Sequence, residues 1–395
     1  MPDKSWFESL PKYYQRQLRR KEFKKFSLDR RKVLKGAGAV IAGAAAGPLF
    51  SSRAVAGTPL NYMCWDGYQD TRLVESFNKA NNADARADLI IDDPGAFAKI
   101  AAGGHREFDV AILDSPWNLR FGPAGLCEFL EYEDFKEDYD RMYPQFAHPF
   151  KACMWEGKIT GLPTRFGWVA VPLSLKHSKV EDWRDGYGPC FDKKNRDKIG
   201  VMDWGDWPIM PMAFHAGIDP YKELDQVELK EIRKVLRALF KNTRALFGDL
   251  TLAQRALIDG SVLTLLGTGT YGTSGARTAG HREVITMVPE PQHGLKQGTV
   301  WLEAASIIKE PNEPELAKKF LKHIVSTEVG PYLSLTDATS NPVPNAEVEQ
   351  HYTDDERDIL QMDDVWGAWD MCHFHDIAPN IDEMLEIWQE ELANS

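Results

Sequence analysis

The sequence contains no uninterrupted apolar run of about 18 residues, the length needed to cross a bilayer as a helix, so a multi-span membrane protein is excluded. Cysteine is scarce: the five in 395 residues (Cys64, Cys127, Cys153, Cys190, Cys372) include no CxxC pair and form no regular disulfide framework. The glycine-rich run from Gly267 to Gly275 lacks the Gly-Lys-Ser/Thr ending of a phosphate loop. Neither an HExxH helix nor a nucleophile elbow is legible, no repeat of short period is visible, and Cys372-His373-Phe374-His375 has no recognised zinc spacing. The 30 Gly and 23 Pro are scattered, which excludes collagen-like and low-complexity chains. With 43% hydrophobic and 27% charged residues, the composition is that of a globular protein long enough for two lobes.

Positive charge is missing from most of the chain. Residues 1–56 hold 13 Lys/Arg and 4 Asp/Glu, a net +9, whereas residues 57–395 hold 34 Lys/Arg and 55 Asp/Glu, a net −21. An acidic body disfavours nucleic acid, which needs cations to neutralise phosphate, and favours cationic partners. The basic head reads as a targeting segment. Leu28-Asp29-Arg30-Arg31-Lys32-Val33-Leu34-Lys35 resembles the twin-arginine export motif; a mild Ala/Gly-rich stretch to Phe50 follows, then the small-x-small triplet Ala54-Val55-Ala56. The expectation is a leader over 1–56, a mature start near Gly57 and a periplasmic protein. In an oxidising compartment the five cysteines allow one or two disulfides and leave at least one thiol unpaired.

From Gly57 onward the pattern alternates short apolar strands with helices, the grammar of an α/β fold on a buried, largely parallel sheet. Strands are expected over 59–65, 88–91, 108–113 and 198–202, with an extended segment at 168–172. Helices are expected over 70–81, 95–102, 228–246 and 314–333, with a further one starting within 207–212 and a strand–helix set within 251–271. The clearest helix carries Ile232, Val235, Leu236, Leu239 and Phe240 on one stripe. In such folds ligands gather at the carboxyl ends of strands. Those ends read Cys64-Trp65-Asp66-Gly67-Tyr68, Asp114-Ser115-Pro116-Trp117, Asp203-Trp204-Gly205-Asp206-Trp207 and Gly267-Thr268-Gly269-Thr270-Tyr271, rich in acids and aromatics. The plainer alternatives are that these tryptophans pack the core and that Asp203 and Asp206 cap the helix near Trp207.

The mature chain resembles the bacterial periplasmic spermidine/putrescine-binding proteins of ABC importers. The resemblance rests on the order of Leu60–Tyr68, Phe108-Asp109-Val110, Gly161-Leu162-Pro163, Gly167–Val171, Trp183, Trp301-Leu302-Glu303 and Asn341-Pro342-Val343-Pro344-Asn345. It implies a type II periplasmic-binding-protein fold, two α/β lobes closing as a hinged clamp: 57–165 with about 298–345 in the first, 166–297 with about 346–395 in the second. It also implies a monomeric, non-enzymatic receptor without cofactor that delivers a polyamine-like cation to an inner-membrane permease; the leader makes the twin-arginine machinery its expected export partner.

Position by position, the resemblance implies ligand roles for Trp65, Tyr68 and Asp114 of the first lobe, Asp203 and Asp206 of the second, and Trp301 with Glu303 on the returning segment. Glu303 stands where the family has an aspartate, Thr268 where it has a tryptophan, and Asn341 where it has an aromatic. Trp117, Trp204, Trp207 or Tyr271 are candidates to replace the lost wall. Arg165, near the crossover, would suit a ligand carboxylate, so a betaine or other zwitterionic amine is an alternative ligand, and an exported amine-acting enzyme on the same fold an alternative function.

Overall fold

The computed structural model describes residues 57–337 and 339–395; the expected leader, with its paired arginines and cleavage triplet, lies outside them. Strand Thr58–Cys64 pairs in parallel with Ala83–Leu89 on one side and Val110–Asp114 on the other. Val110–Asp114 in turn pairs antiparallel with the long strand Gly298–Ile307, which also pairs antiparallel with Leu162–Val169 and in parallel with Cys372–Phe374. Three of these strands are buried along their whole length, as expected of segments covered on both faces. The sheet is therefore mixed: its first three strands are parallel, and Gly298–Ile307 opposes them because the chain returns from a second unit when it lays that strand down.

That second unit is smaller. Ile199–Met202 lies between Thr264–Leu266 and Thr243–Phe247, all parallel, and Val171–Ser174 pairs antiparallel with Val284–Met287. The chain leaves the large sheet at Val169 and enters the second unit at Val171, with only the buried Ala170 between. Near the C-terminus, Cys372–Phe374 edges the large sheet while helix Ile381–Ala393 packs on helix Gln226–Phe240 of the second unit.

Local chemistry explains most boundaries. Asp70 caps helix Thr71–Asn81 by accepting from the Arg72 N–H, and Asp225 with Glu228 forms a reciprocal capping box at the start of Gln226–Phe240. The helix expected over 228–246 stops at Phe240, and Thr243–Phe247 becomes a strand. Apolar residues alone do not separate the two periods over so short a tail. Asn242, whose amide donates to the Cys190 carbonyl at 2.9 Å, turns the chain, and Ala245 and Leu246 then pair with Gly200 and Val201. The helix expected over 314–333 is two, Pro314–Ile324 and Gly330–Ser334; Pro331, with no N–H to donate, cannot continue the first. All five cysteines are free, buried thiols, so none of the disulfides that the sequence allows is formed.

Replacing Asp225 with alanine removes two side-chain bonds to orphan helix N–H groups at 2.7 and 2.9 Å. Urea unfolding of D225A should show a loss of about 1 kcal/mol, with the slope unchanged.

Candidate functional site

The carboxyl ends of strands from both units converge on a cavity of about 230 Å³. Trp65, Asp93, Asp114 and Trp117 wall it from the large-sheet side; Asp203, Trp204, Asp206, Trp207, Thr268 and Tyr271 face them, and Trp301 with Glu303 forms the floor. Six of the seven expected site residues thus reach one cavity.

Tyr68 does not. It is fully buried beneath the floor, where its hydroxyl donates to Glu303 Oε2 at 2.6 Å and lies 2.6 Å from Thr164 Oγ1. Tyr62, on the preceding strand, donates to the Tyr68 carbonyl at 2.9 Å, so the turn after Cys64 draws this ring inward. Burial, then the neighbouring Glu303 charge, pushes the Tyr68 phenol well above its ordinary range, leaving it a neutral donor.

Glu303 reaches the cavity, but its carboxylate is already engaged. Arg165 grips it in a bidentate pair, Nε to Oε2 at 2.9 Å and Nη2 to Oε1 at 2.8 Å, with both side chains withdrawn from solvent. Arg165 also donates to the Asp66 carbonyl at 2.9 Å. Burial works against the guanidinium charge, and the neighbouring Glu303 outweighs it, holding the group above its usual range. Arg165 is therefore a structural cation rather than an anchor for a ligand carboxylate. Asn341 is likewise buried, donating to the Thr339 carbonyl at 3.0 Å, and lies off the cavity.

The free acids stand on the walls. Asp114 ends the Val110–Asp114 strand, and Asp93 opens helix Asp93–Ala101; both are about 95% buried. Asp93 Oδ1 accepts from the Trp65 indole N–H and from the Asp114 backbone N–H, each at 3.1 Å. The backbone bond from Asp114 thus ties the two acids side by side on one wall. Burial raises Asp93 to about 7 and lifts Asp114 well above the carboxylate range, where the charges of Asp93 and Glu303 add to the effect. Asp93 escaped sequence reasoning, although Asp92-Asp93-Pro94 follows the Ala83–Leu89 strand and the strand-end rule applies there too.

On the opposite wall, Asp206 lies 3.7 Å from His375 Nε2, and Asp203 is exposed at the mouth. Neither side chain caps the neighbouring helix Ile209–His215, so the capping alternative does not hold.

Aromatic rings fill the space between the acids. Tyr271 sits edge-on to Trp65, Trp204 and Trp301, with centroids 6.4, 5.9 and 6.0 Å away. Trp207 packs on His375 at 4.2 Å, and Trp117 carries the Arg120 guanidinium 4.0 Å above its ring. All four candidates for the lost wall line the cavity, while Thr268 occupies the place left without a ring.

No family model matches the chain, and none of the curated proteins does. Solved structures do. The spermidine/putrescine ABC transporter substrate-binding protein PotD of Streptococcus pneumoniae aligns over 85% of this chain and 100% of its own, at TM-score 0.63 and 14% identity. The TpPotD lipoprotein of Treponema pallidum covers 84% of this chain and 99% of its own at TM-score 0.66 and 14% identity. The chain has the fold of the two-lobed periplasmic binding proteins. The binding protein MotA of A. tumefaciens, in complex with glucopine, is similar at TM-score 0.62 and 14% identity, covering 85% of this chain and 100% of its own. The fold thus hosts more than one ligand class.

Two measurements check these assignments. Glu303→Gln strands the buried Arg165 charge and should cost about 3–5 kcal/mol in urea unfolding, far more than loss of a ligand contact alone. Above about pH 4 an unfolded aspartate loses its proton, whereas the folded Asp93–Asp114 pair keeps one until near pH 7 or above. Stability of the free protein should therefore fall as pH rises across that window, by up to about 1.4 kcal/mol per pH unit for each proton retained. Replacing both acids, Asp93→Asn with Asp114→Asn, should flatten the slope, whereas Asp114→Asn alone leaves the buried Asp93 to titrate.

Proposed function

We propose that this chain is an extracytoplasmic solute receptor of an ABC importer that closes on a polyamine-like cation of the putrescine/spermidine class. The carrying observation is the pairing of acids on facing walls, Asp93 with Asp114 against Asp203 with Asp206, with indole and phenol rings between them. A diamine presents ammonium groups at two ends of an apolar chain, and this arrangement offers carboxylates at both ends and ring faces along the middle. A carboxylate about 4 Å from an ammonium gives roughly 4 kcal/mol of raw attraction at an effective dielectric of 20, before desolvation. Each ring face adds roughly 0.5–2 kcal/mol. Two ion pairs and two rings supply the approximately 8 kcal/mol of micromolar capture.

In this reading the lobes comprise 57–165 with about 298–345 and 166–297 with about 346–395, with 166–169 and 372–374 of the second lying on the large sheet as crossing segments, the residues before Gly57 direct twin-arginine export to the periplasm, and an inner-membrane permease receives the solute. The receptor acts as a monomer and performs no chemistry on its ligand. The zwitterion alternative has lost its motivating residue, since Arg165 is engaged by Glu303.

Calorimetry with putrescine, spermidine, agmatine and glycine betaine tests the assignment. Putrescine or spermidine should bind at micromolar strength or better, Asp206→Asn should weaken binding about 10- to 100-fold, and Trp204→Ala about 5- to 30-fold. Silence with every amine, or preference for betaine, would reject the ligand class.

A further inference from the structure

Asp93 and Asp114 differ from every other acid at the cavity. They are withdrawn from water, the Asp114 backbone N–H donates to Asp93 Oδ1 at 3.1 Å and holds them together, and no cation is paired with either among the described residues. One oxygen of Asp93 is occupied by the Trp65 indole and the Asp114 backbone N–H. The other three oxygens of the pair have room for one shared proton or for external N–H donors. Two adjacent buried carboxylates cannot both stay ionised without a counter-charge.

We propose that this pair is the specificity element of the first-lobe wall: it holds one shared proton in the free protein, and an ammonium bearing N–H groups takes the proton's place on binding. The exchange balances. A carboxylic acid–carboxylate pair and an ammonium become two carboxylates bridged by that ammonium, and one proton leaves to solvent. A primary ammonium carries three N–H donors and can satisfy both carboxylates. A quaternary ammonium carries none and would leave their oxygens unpartnered in a dry site, a poor trade against a retained proton.

The surroundings support one proton rather than none. Glu303 stands opposite Asp114 in the strand register and is compensated by Arg165 behind it. From the second unit Asp206 adds negative potential, with His375 at its back, and Asp203 sits at the mouth. Asp92 lines the same cavity on the pair's own side, and Arg120 lies within electrostatic reach of Asp206. The enclosed aromatic cavity is the independent sign that something other than a proton is meant to enter.

The exchange rests on the receptor reading above, so two readouts separate them. Infrared spectra of the free protein at pH 6.5 should show a carboxylic-acid carbonyl band that Asp114→Asn shifts, because the buried Asp93 keeps the proton, and that Asp93→Asn combined with Asp114→Asn removes; should the double variant fail to fold, the shift in either single variant assigns the band. Adding putrescine should abolish that band, whereas glycine betaine should leave it. Calorimetry in two buffers of different ionisation heat should count between about 0.5 and 1 proton released per putrescine, and affinity should fall up to about tenfold per pH unit below the pair's titration. Absence of the band in the free protein overturns the shared proton whatever binds. Putrescine binding with the band intact and no proton released overturns the exchange and leaves the receptor standing. A band that no amine alters, with no amine bound, rejects the receptor reading and the exchange with it.

Discussion

The buried pair between Arg165 and Glu303 organises the floor on which the rest of the site stands. The two residues face each other in the register of the antiparallel strands Leu162–Val169 and Gly298–Ile307, at the irregularity between Glu303 and Ala304. Arg165 Nη2, which holds Glu303 Oε1, also donates to the Asp66 carbonyl, so the turn that presents Trp65 is tied to the same point. Removing two charges from water is costly, and the cost is offset here by bidentate geometry and by the Tyr68 hydroxyl on the same carboxylate. The consequence for binding is electrical: the floor is neutral, and negative charge available to a ligand resides on the walls.

Those walls come from different parts of the chain, and Tyr271 holds them to one another. Its ring meets Trp65 beside the first strand, Trp204 beyond Ile199–Met202, and Trp301 on the returning strand, each edge-on. Edge-to-face contacts of this kind contribute about 0.5–1.5 kcal/mol each beyond burial, and they fix ring orientation better than a bare apolar contact would. Preformed ring walls leave less ordering to be done when a flexible ligand enters. Asp93 and Asp114 sit behind the Trp65 indole, which donates to the first of them; aromatic placement and acid placement are thus one arrangement.

Much of this was legible in order along the chain. The alternation of apolar strands and amphipathic helices announces the α/β fold, and the strand-end rule locates Trp65, Asp114, Asp203, Asp206, Trp207 and Tyr271. The errors share a cause. Thr243–Phe247 reads as the tail of a helix because five residues are too few to show a period. The strand expected over 88–91 runs instead over Ala83–Leu89, where alternating Ala and charged residues give little apolar signal, and Asp93 beyond it is absent from the strand ends that the pattern singles out. Tyr68 is assigned to the site by motif position, which identifies a backbone address and not a side-chain direction; Glu303 does reach the cavity, but its engagement by Arg165 has no local sign in the sequence.

Composition and local pattern by themselves determined the basic head and acidic body, the fold class, the lack of a long uninterrupted apolar run, and the clustering of acids and rings at strand ends. These follow from nearest-neighbour chemistry and from counts that no folding changes. Only the tertiary structure decided which acids are free. Glu303 is neutralised by an arginine 138 residues away in sequence, while Asp93 and Asp114, 21 apart, become a proton-sharing pair. Charge state depends on what lies within a few ångströms and on how much water remains there, and both are set by the packing of distant segments.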